Sequence, residues 1–278
     1  MNSEQINSQI NKGFPNSLLN GNCVELLSGM SSGSAGFVLT DPPYMVNYSS
    51  SDGRTVPNDD NDAWLKPAFR EIFRVLRWNR FCVSFYSWNK ADTFLTAWRD
   101  AGFRVVGHLT FIKKYASTER FLRYQHENAY LLAKGNPMKP SRTIPDVLEW
   151  KYSGNNLHPT QKPVCILTPL IECFSVPGDV VLDPFCGSGS TLVAAQQVGR
   201  RYIGIELSKR YFDLAEPPTK TSAADCGNFE HFFGEGHKNS RGHVHTQKQG
   251  RENNWLWLSQ DCNQSVYQFE LVRSASIQ

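Results

Sequence analysis

Apolar residues in this chain occur as short continuous runs and as longer stretches with helical spacing. Phe37, Val38 and Leu39 form a continuous run within GFVLTDPPY (36–44), the pattern of a strand covered on both faces. Pro42 and Pro43 forbid ladder bonding and helix alike, so a rigid extended turn is expected at that strand's C-terminal end. Leu65, Phe69, Ile72, Phe73 and Leu76 then recur at helical spacing across 63–77, with Arg70, Arg74 and Arg77 between them. This predicts an amphipathic helix packed on a sheet, with Pro67 in its first turn. FCVSFYS (81–87) reads as a strand, 91–102 as a helix closed by Gly102, and 103–113 and 128–135 as strands. The polar, proline-containing stretch 136–157 lacks a period and reads as loop, whereas VCILTPLIECF (164–174) reads as a helix despite Pro169. Residues 178–185 read as a strand, 190–199 as a helix ending at Gly199, and 200–207 as a strand. This alternation predicts an α/β fold with a doubly wound, mostly parallel sheet.

The pattern stops near residue 216. Residues 217–278 are about one-third apolar, show no sustained period and hold His231, His237, His243 and His245, so they read as a poorly ordered tail behind a 1–216 domain. A displaced reading frame, a recombined terminus or an accessory segment would each give this texture. The tail's histidines, with Cys226 and Cys262, match no common ligand spacing, so no metal site is expected.

Composition narrows the picture only slightly. A length of 278 residues suits one α/β domain with an appendage, and 40% hydrophobic with 20% charged residues excludes wholesale disorder. A net charge of +3 does not by itself indicate a nucleic-acid partner. There is no apolar run of about 18 residues and no basic-then-apolar N-terminus, so no membrane span or secretory signal is expected. Seven scattered cysteines without a CxxC pair suggest reduced thiols and a cytoplasmic protein.

Two constellations carry candidate chemistry. In VVLDPFCGSGSTLVAA a strand ending at Asp183 meets a turn with Gly187 and Gly189 and then a helix. The glycines allow close backbone approach to a ligand, the helix N-terminus offers unpaired N–H donors, and Ser188, Ser190 and Thr191 are candidate caps. The next strand ends in Glu206, placed to accept both hydroxyls of a ribose. A bare GxG turn also occurs with no ligand. A phosphate-gripping loop would need GK[ST], which is missing, and Leu192 stands where a dinucleotide fold has its third glycine. A nucleoside without a phosphate chain remains, and a dinucleotide oxidoreductase is disfavoured.

The second constellation is Asp41-Pro42-Pro43-Tyr44 at a strand's C-terminal end, where open α/β sheets place their ligands. Asp41 and the Pro42 carbonyl would each accept one hydrogen of a planar NH2 group while Tyr44 stacks on its ring. The alternative is a structural turn capped by Asp41.

Together these residues resemble the S-adenosylmethionine-dependent amino-methyltransferases of DNA, specifically the β group, in which DPPY precedes FxGxG. DPPY occupies 41–44 and Phe185-Cys186-Gly187-Ser188-Gly189 matches FxGxG; HPTQKP at 158–163, GIEL at 204–207 and the stretch LLNGNCVELLSGM complete the match over about residues 18–212. The resemblance implies a Rossmann-like methyltransferase fold and direct methyl transfer to the exocyclic nitrogen of a flipped base, with Asp41, Pro42, Pro43 and Tyr44 catalytic. S-adenosylmethionine would be held by Asn22, Cys23, Asp41, His158, Thr160, Lys162, Asp183, Phe185, Gly187, Ser188, Gly189, Thr191 and Glu206. Asn22 stands where the family usually has Asp, and Cys186 reads as a small filler. In the family, Asp at the first motif position goes mainly with adenine N6 and Ser with cytosine N4. Asp41 therefore implies a site-specific DNA adenine-N6 methyltransferase, with cytosine N4, or a non-catalytic cofactor- or DNA-binding protein, as the alternatives.

Double-stranded DNA is the expected partner, and a homodimer or a cognate restriction enzyme remains open. The target-recognition insert, about 114–157, is short. KKYASTERFLRYQH (113–126) interleaves Lys113, Lys114, Arg120 and Arg123 with aromatic residues, a mixture suited to phosphate and base contacts or to a solvated face. The polar loop 45–64 either closes over the flipped base or is only a connection.

Overall fold

The computed structural model describes residues 16–49, 53, 55–116, 118–119, 121–150 and 161–215. The expected tail and part of the recognition insert lie outside these residues. In chain order the elements are β1 (Ser17–Asn20), α1 (Cys23–Ser28), β2 (Phe37–Thr40), α2 (Leu65–Val75), β3 (Arg80–Tyr86), a 3-10 turn (Trp88–Lys90) and α3 (Ala91–Ala101). β4 (Arg104–Ile112), β5 (Thr118–Glu119), β6 (Arg123–Tyr124), β7 (His126–Lys134) and β8 (Val147–Glu149) follow. The chain continues through α4 (Val164–Phe174), β9 (Val180–Asp183), α5 (Ser190–Gln197), β10 (Arg201–Glu206) and α6 (Lys209–Leu214).

Eight strands form one sheet in the order β1-β10-β9-β2-β3-β7-β4-β8, and β5 pairs with β6 apart from it. From β1 to β3 every pairing is parallel, as the alternating pattern predicted. β7 runs antiparallel to both β3 and β4, and β8 runs parallel to β4. The reason is the connection: among the described residues no helix lies between β4 and β7, and without a crossover the chain can only return antiparallel. β9 leads through α5 to β10 on one side, while β2 leads through α2 to β3 on the other. The sheet therefore has its topological switch point between β9 and β2, where open α/β sheets bind ligands.

Two apolar layers enclose the sheet. On one face Val38, Cys82 and Leu182 pack with Leu27 of α1, Phe69 and Ile72 of α2, and Trp98 of α3. On the other, Phe37, Leu39, Val83 and Val181 pack with Ile166, Leu170 and Ile171 of α4 and Leu192 of α5. Phe37, Val38 and Leu39 alternate between these faces and are all fully buried, which explains their continuous run. Pro169 lies inside α4 but does not end it. Burial of its neighbours Ile166, Leu167, Leu170 and Ile171, at about 1.5–3 kcal/mol each, exceeds the roughly 3 kcal/mol that an internal proline costs.

Three parts of the chain differ from the pattern reading. β8 lies within the stretch read as loop, and only its middle residue, Leu148, is buried. The basic segment after Lys113 holds the small β5–β6 hairpin. Asn22 starts the unread helix α1 by accepting a hydrogen bond from the Val24 amide at 2.9 Å, an N-cap. No helix among the described residues is long and apolar enough to cross a membrane.

Candidate cofactor and catalytic cleft

A cleft opens at the C-terminal ends of β9 and β2, the switch point of the sheet. Asn22 and Cys23 line it at the start of α1, and Asp41, Pro42, Pro43 and Tyr44 line it beyond β2. Lys162 enters from the segment before α4. Asp183, Phe185, Gly187, Ser188 and Thr191 form the floor beyond β9, and Glu206 closes the end of β10. Elements separated by more than a hundred residues thus converge on one cavity. His158 and Thr160 lie outside the described residues.

The glycine turn works as its sequence suggests, with one change. Gly187 and Gly189 hold φ of 53° and 86°, a left-handed backbone that glycine adopts without strain. Gly189 itself is the N-cap of α5, and among the described residues no side chain caps the helix. The expected caps Ser188, Ser190 and Thr191 do not act as such; the Thr191 hydroxyl bonds Asp183 instead. Glu206 accepts from the Gly187 amide at 2.9 Å and the Ser208 amide at 2.7 Å, one on each carboxylate oxygen. The Leu207 amide also bonds this carboxylate, whose roughly four lone-pair sites leave room for a further donor from the cleft. Burial raises the proton affinity of this carboxyl against those bonds. Leu192, at the third-glycine position, packs over Gly204 of β10, where a Cβ would stand 2.6 Å from Leu192 Cδ1 and 3.0 Å from Cys186 Sγ. The glycine needed for close helix–strand packing has moved from the helix to the strand. Cys186 is buried filler in this contact, its thiol pushed well above its ordinary pKa by burial.

Asp41 is the centre of the other wall. Tyr44 Oη donates to its Oδ1 at 2.8 Å, and Lys162 Nζ to its Oδ2 at 2.5 Å. Burial raises the Asp41 pKa, opposed by Lys162 and Tyr44. Behind the pair stands Glu127 of β7, which sequence reasoning missed. Burial disfavours its charge, but Lys162 and Lys113 together outweigh that and hold its pKa below the ordinary value. Next to Asp41, on the β9 floor, Asp183 is 2% exposed and pushed up to about 7 by burial, against hydrogen bonds from Thr191, the Phe185 amide and Thr40.

Lys113, expected on a DNA-facing surface, is buried instead. It pairs with Glu127 and lies 4.8 Å over the Trp150 ring, so it belongs to the charge network behind Asp41. Lys114 is exposed beside Glu149, and Arg123 is exposed on β6. Arg120 lies outside the described residues.

The loop after DPPY supplies the remaining wall. Buried Asp59 accepts from the Met45 and Tyr48 amides, each at 2.7 Å, folding the loop back on itself. Val46, Tyr48, Asn58 and Trp64 thereby line the cleft, and Trp64 meets Phe185 edge-on at 5.1 Å. The sequence singles out the loop 45–64 but none of these residues individually. Trp64 had a signal, an aromatic residue just ahead of an amphipathic helix; Glu127 had none, since its relation to Asp41 exists only through the sheet.

The DNA methylase family model matches residues 36–217. YubD of Escherichia coli (strain K12) is 54% identical over 193 residues, covering 69% of this chain and 85% of that protein. TTHA0409 of Thermus thermophilus, a DNA modification methylase solved with S-adenosyl-L-methionine, superposes with a TM-score of 0.57 at 25% identity over 72% of this chain and 90% of its own. The cytosine-N4-specific PvuII DNA methyltransferase superposes with a TM-score of 0.61 at 18% identity, covering 75% and 88%. The cleft suits the cofactor of this family: Glu206 presents a buried carboxylate to a ribose diol, Phe185 and Trp64 give an aromatic wall, and Asp41 and Asp183 give an acidic side for a sulfonium. The chain belongs to the DNA methylase family whose members act on adenine N6 or cytosine N4, with S-adenosylmethionine as cofactor.

Proposed function

We propose that this chain methylates the exocyclic N6 of adenine in double-stranded DNA, as an enzyme of the group in which DPPY precedes FxGxG. The observation that carries this reading is Asp41 itself. It occupies the first motif position, lines the cleft and, among the described residues, has each carboxylate oxygen engaged by a single donor, Tyr44 or Lys162. A carboxylate has about four lone-pair sites, so it can still accept an amine hydrogen.

Bound in this cleft, S-adenosylmethionine would supply an electrophilic methyl group: its S–CH3 bond breaks as the N–CH3 bond forms, the electron pair returning to sulfur so that a neutral thioether leaves. Asp41 and the Pro42 carbonyl take the two amine hydrogens, turning the nitrogen lone pair out of the ring and towards the methyl carbon. Tyr44 stacks against the extruded base and offsets part of the cost of removing it from the duplex. Lys162 opposes the burial that pulls Asp41 towards its neutral form. As the nitrogen–carbon bond forms, the amine sheds a proton to Asp41, whose raised affinity suits it to that task.

The test is product analysis. The protein is incubated with unmethylated DNA and labelled cofactor, the DNA is digested to nucleosides, and the product is identified by mass. N6-methyladenine is expected. N4-methylcytosine would replace this reading with its sister reaction, and bound cofactor without any product would replace it with a binding protein.

A further inference from the structure

Phe121 is 98% exposed and Leu122 68% exposed, adjacent residues where, among the described residues, most other large apolar side chains are buried. They sit where Thr118 pairs with Tyr124 and Glu119 with Arg123, so Phe121 is the middle residue of a three-residue turn, at the hairpin's tip. From that position the hairpin cannot fold back to cover it.

The hairpin's base is anchored. The Lys113 amide donates to the Gln125 carbonyl at 2.7 Å, and Tyr124 stacks on Trp88 at 5.6 Å with an interplanar angle of 15°. Immediately beyond, Lys113 and Glu127 join the charge network behind Asp41. β4 is parallel to β2 and β3, so this hairpin leaves the sheet at the same edge as DPPY. Arg123 is exposed on β6, and Lys114, paired with Glu149 at 2.6 Å, is exposed ahead of β5.

An apolar tip between basic side chains, held beside a site that takes an extruded base, matches one occupant best. We infer that Phe121 and Leu122 enter the DNA duplex next to the target nucleotide and fill the space the flipped base leaves. Apolar wedges of this kind unstack a base step, and the basic side chains hold the flanking phosphates. The hairpin then carries part of the cost of flipping and frees the cleft to bind the base alone.

This inference rests on the proposed DNA reaction, and the test separates the two. The sequence modified by the wild-type protein is read from methylated plasmid, and duplexes are made with the target base either correctly paired or mismatched. Phe121→Ser should lower kcat/KM on the paired duplex about tenfold or more, and lose most of that deficit on the mismatched duplex, where there is little pairing to break. Phe121→Leu should retain most activity, and Leu122→Ser should show the same mismatch rescue as Phe121→Ser. Cofactor affinity should not change in any of them, since the tip is remote from the cofactor wall. Unchanged rates, or equal loss on both duplexes, would overturn the wedge while leaving the methyltransferase reading intact. Binding of the tip to vesicles or to protein in place of DNA would overturn it equally. If the wild-type protein modifies no DNA, the reaction and the wedge fall together.

Discussion

Burial pulls the Asp41 carboxyl towards protonation, and the Lys162 ammonium 2.5 Å away pulls it back. Transfer needs the carboxylate, so its rate should fall as pH drops through the raised Asp41 pKa. Removing the cation in Lys162→Met raises that pKa further, and the acid limb of the single-turnover pH–rate profile should move to higher pH; Lys162→Arg should leave it near its original place. An unmoved limb in Lys162→Met would mean that the lysine does not act through Asp41. Asp41→Ala should lower transfer by about a hundredfold or more while cofactor affinity stays within a few-fold, because the acceptor is lost and the cofactor wall is not. Glu206→Gln should do the reverse, weakening cofactor binding about tenfold or more by equilibrium titration, since an amide cannot accept on both sides. Asp183 gives a third residue-scale outcome. Its folded pKa is about 7 against an ordinary value of 3.8, so between those values the folded chain holds a proton that the unfolded chain has lost. Stability from this group therefore rises as pH falls, by about 2–3 kcal/mol from pH 8 to pH 5. Asp183→Asn should flatten that part of the slope in urea titrations at the two pH values.

At the scale of elements, the contact between α5 and β10 joins the glycine turn to the ribose acid, and it closes because Gly204 has no side chain. Gly204→Ala would press a Cβ against Leu192 and Cys186, overpacking the contact at about 1–3 kcal/mol. Leu192→Ala in the same chain opens that space, so the double variant should be more stable than the two single losses predict, by about 1 kcal/mol in chemical denaturation. Additive losses would show that strand and helix adjust separately. Which elements could be read from sequence follows from how many of their residues are buried. β2, β3 and α2 bury most of their apolar positions and carry clear periods. β8 buries Leu148 alone and β1 Leu19 alone, and β5 and β6 have two residues each, too little for a period to register. The antiparallel turn at β7 was legible only as a missing helix. The site divided in the same way. Asp41, Gly187 and Glu206 lie in local motifs whose chemistry is visible in a few residues, whereas Glu127 meets Asp41 only because β7 inserts beyond β3. Lys113 was misjudged for the complementary reason: a lysine in a basic stretch reads as surface until its carboxylate partner and the Trp150 ring are brought beneath it.

For the molecule as a whole, the methyltransferase is accounted for well before the chain ends. The family match stops at residue 217, and 72% of this chain superposes on 90% of TTHA0409. Every cleft residue described above lies between Gly21 and Leu207. The charges agree: Lys and Arg equal Asp and Glu across 217–278, so the +3 belongs to the first 216 residues, the part expected to hold DNA. A chain ending after residue 216 should therefore fold cooperatively, bind cofactor with the same affinity and methylate DNA within about twofold of the full-length rate, with a similar decline of log affinity against log salt. The comparison is made on purified proteins by thermal unfolding, cofactor titration and transfer at several salt concentrations. A large loss of stability would make the last sixty or so residues part of the fold. A loss of DNA affinity with a shallower salt slope, at unchanged cofactor binding, would make them part of the DNA-binding surface.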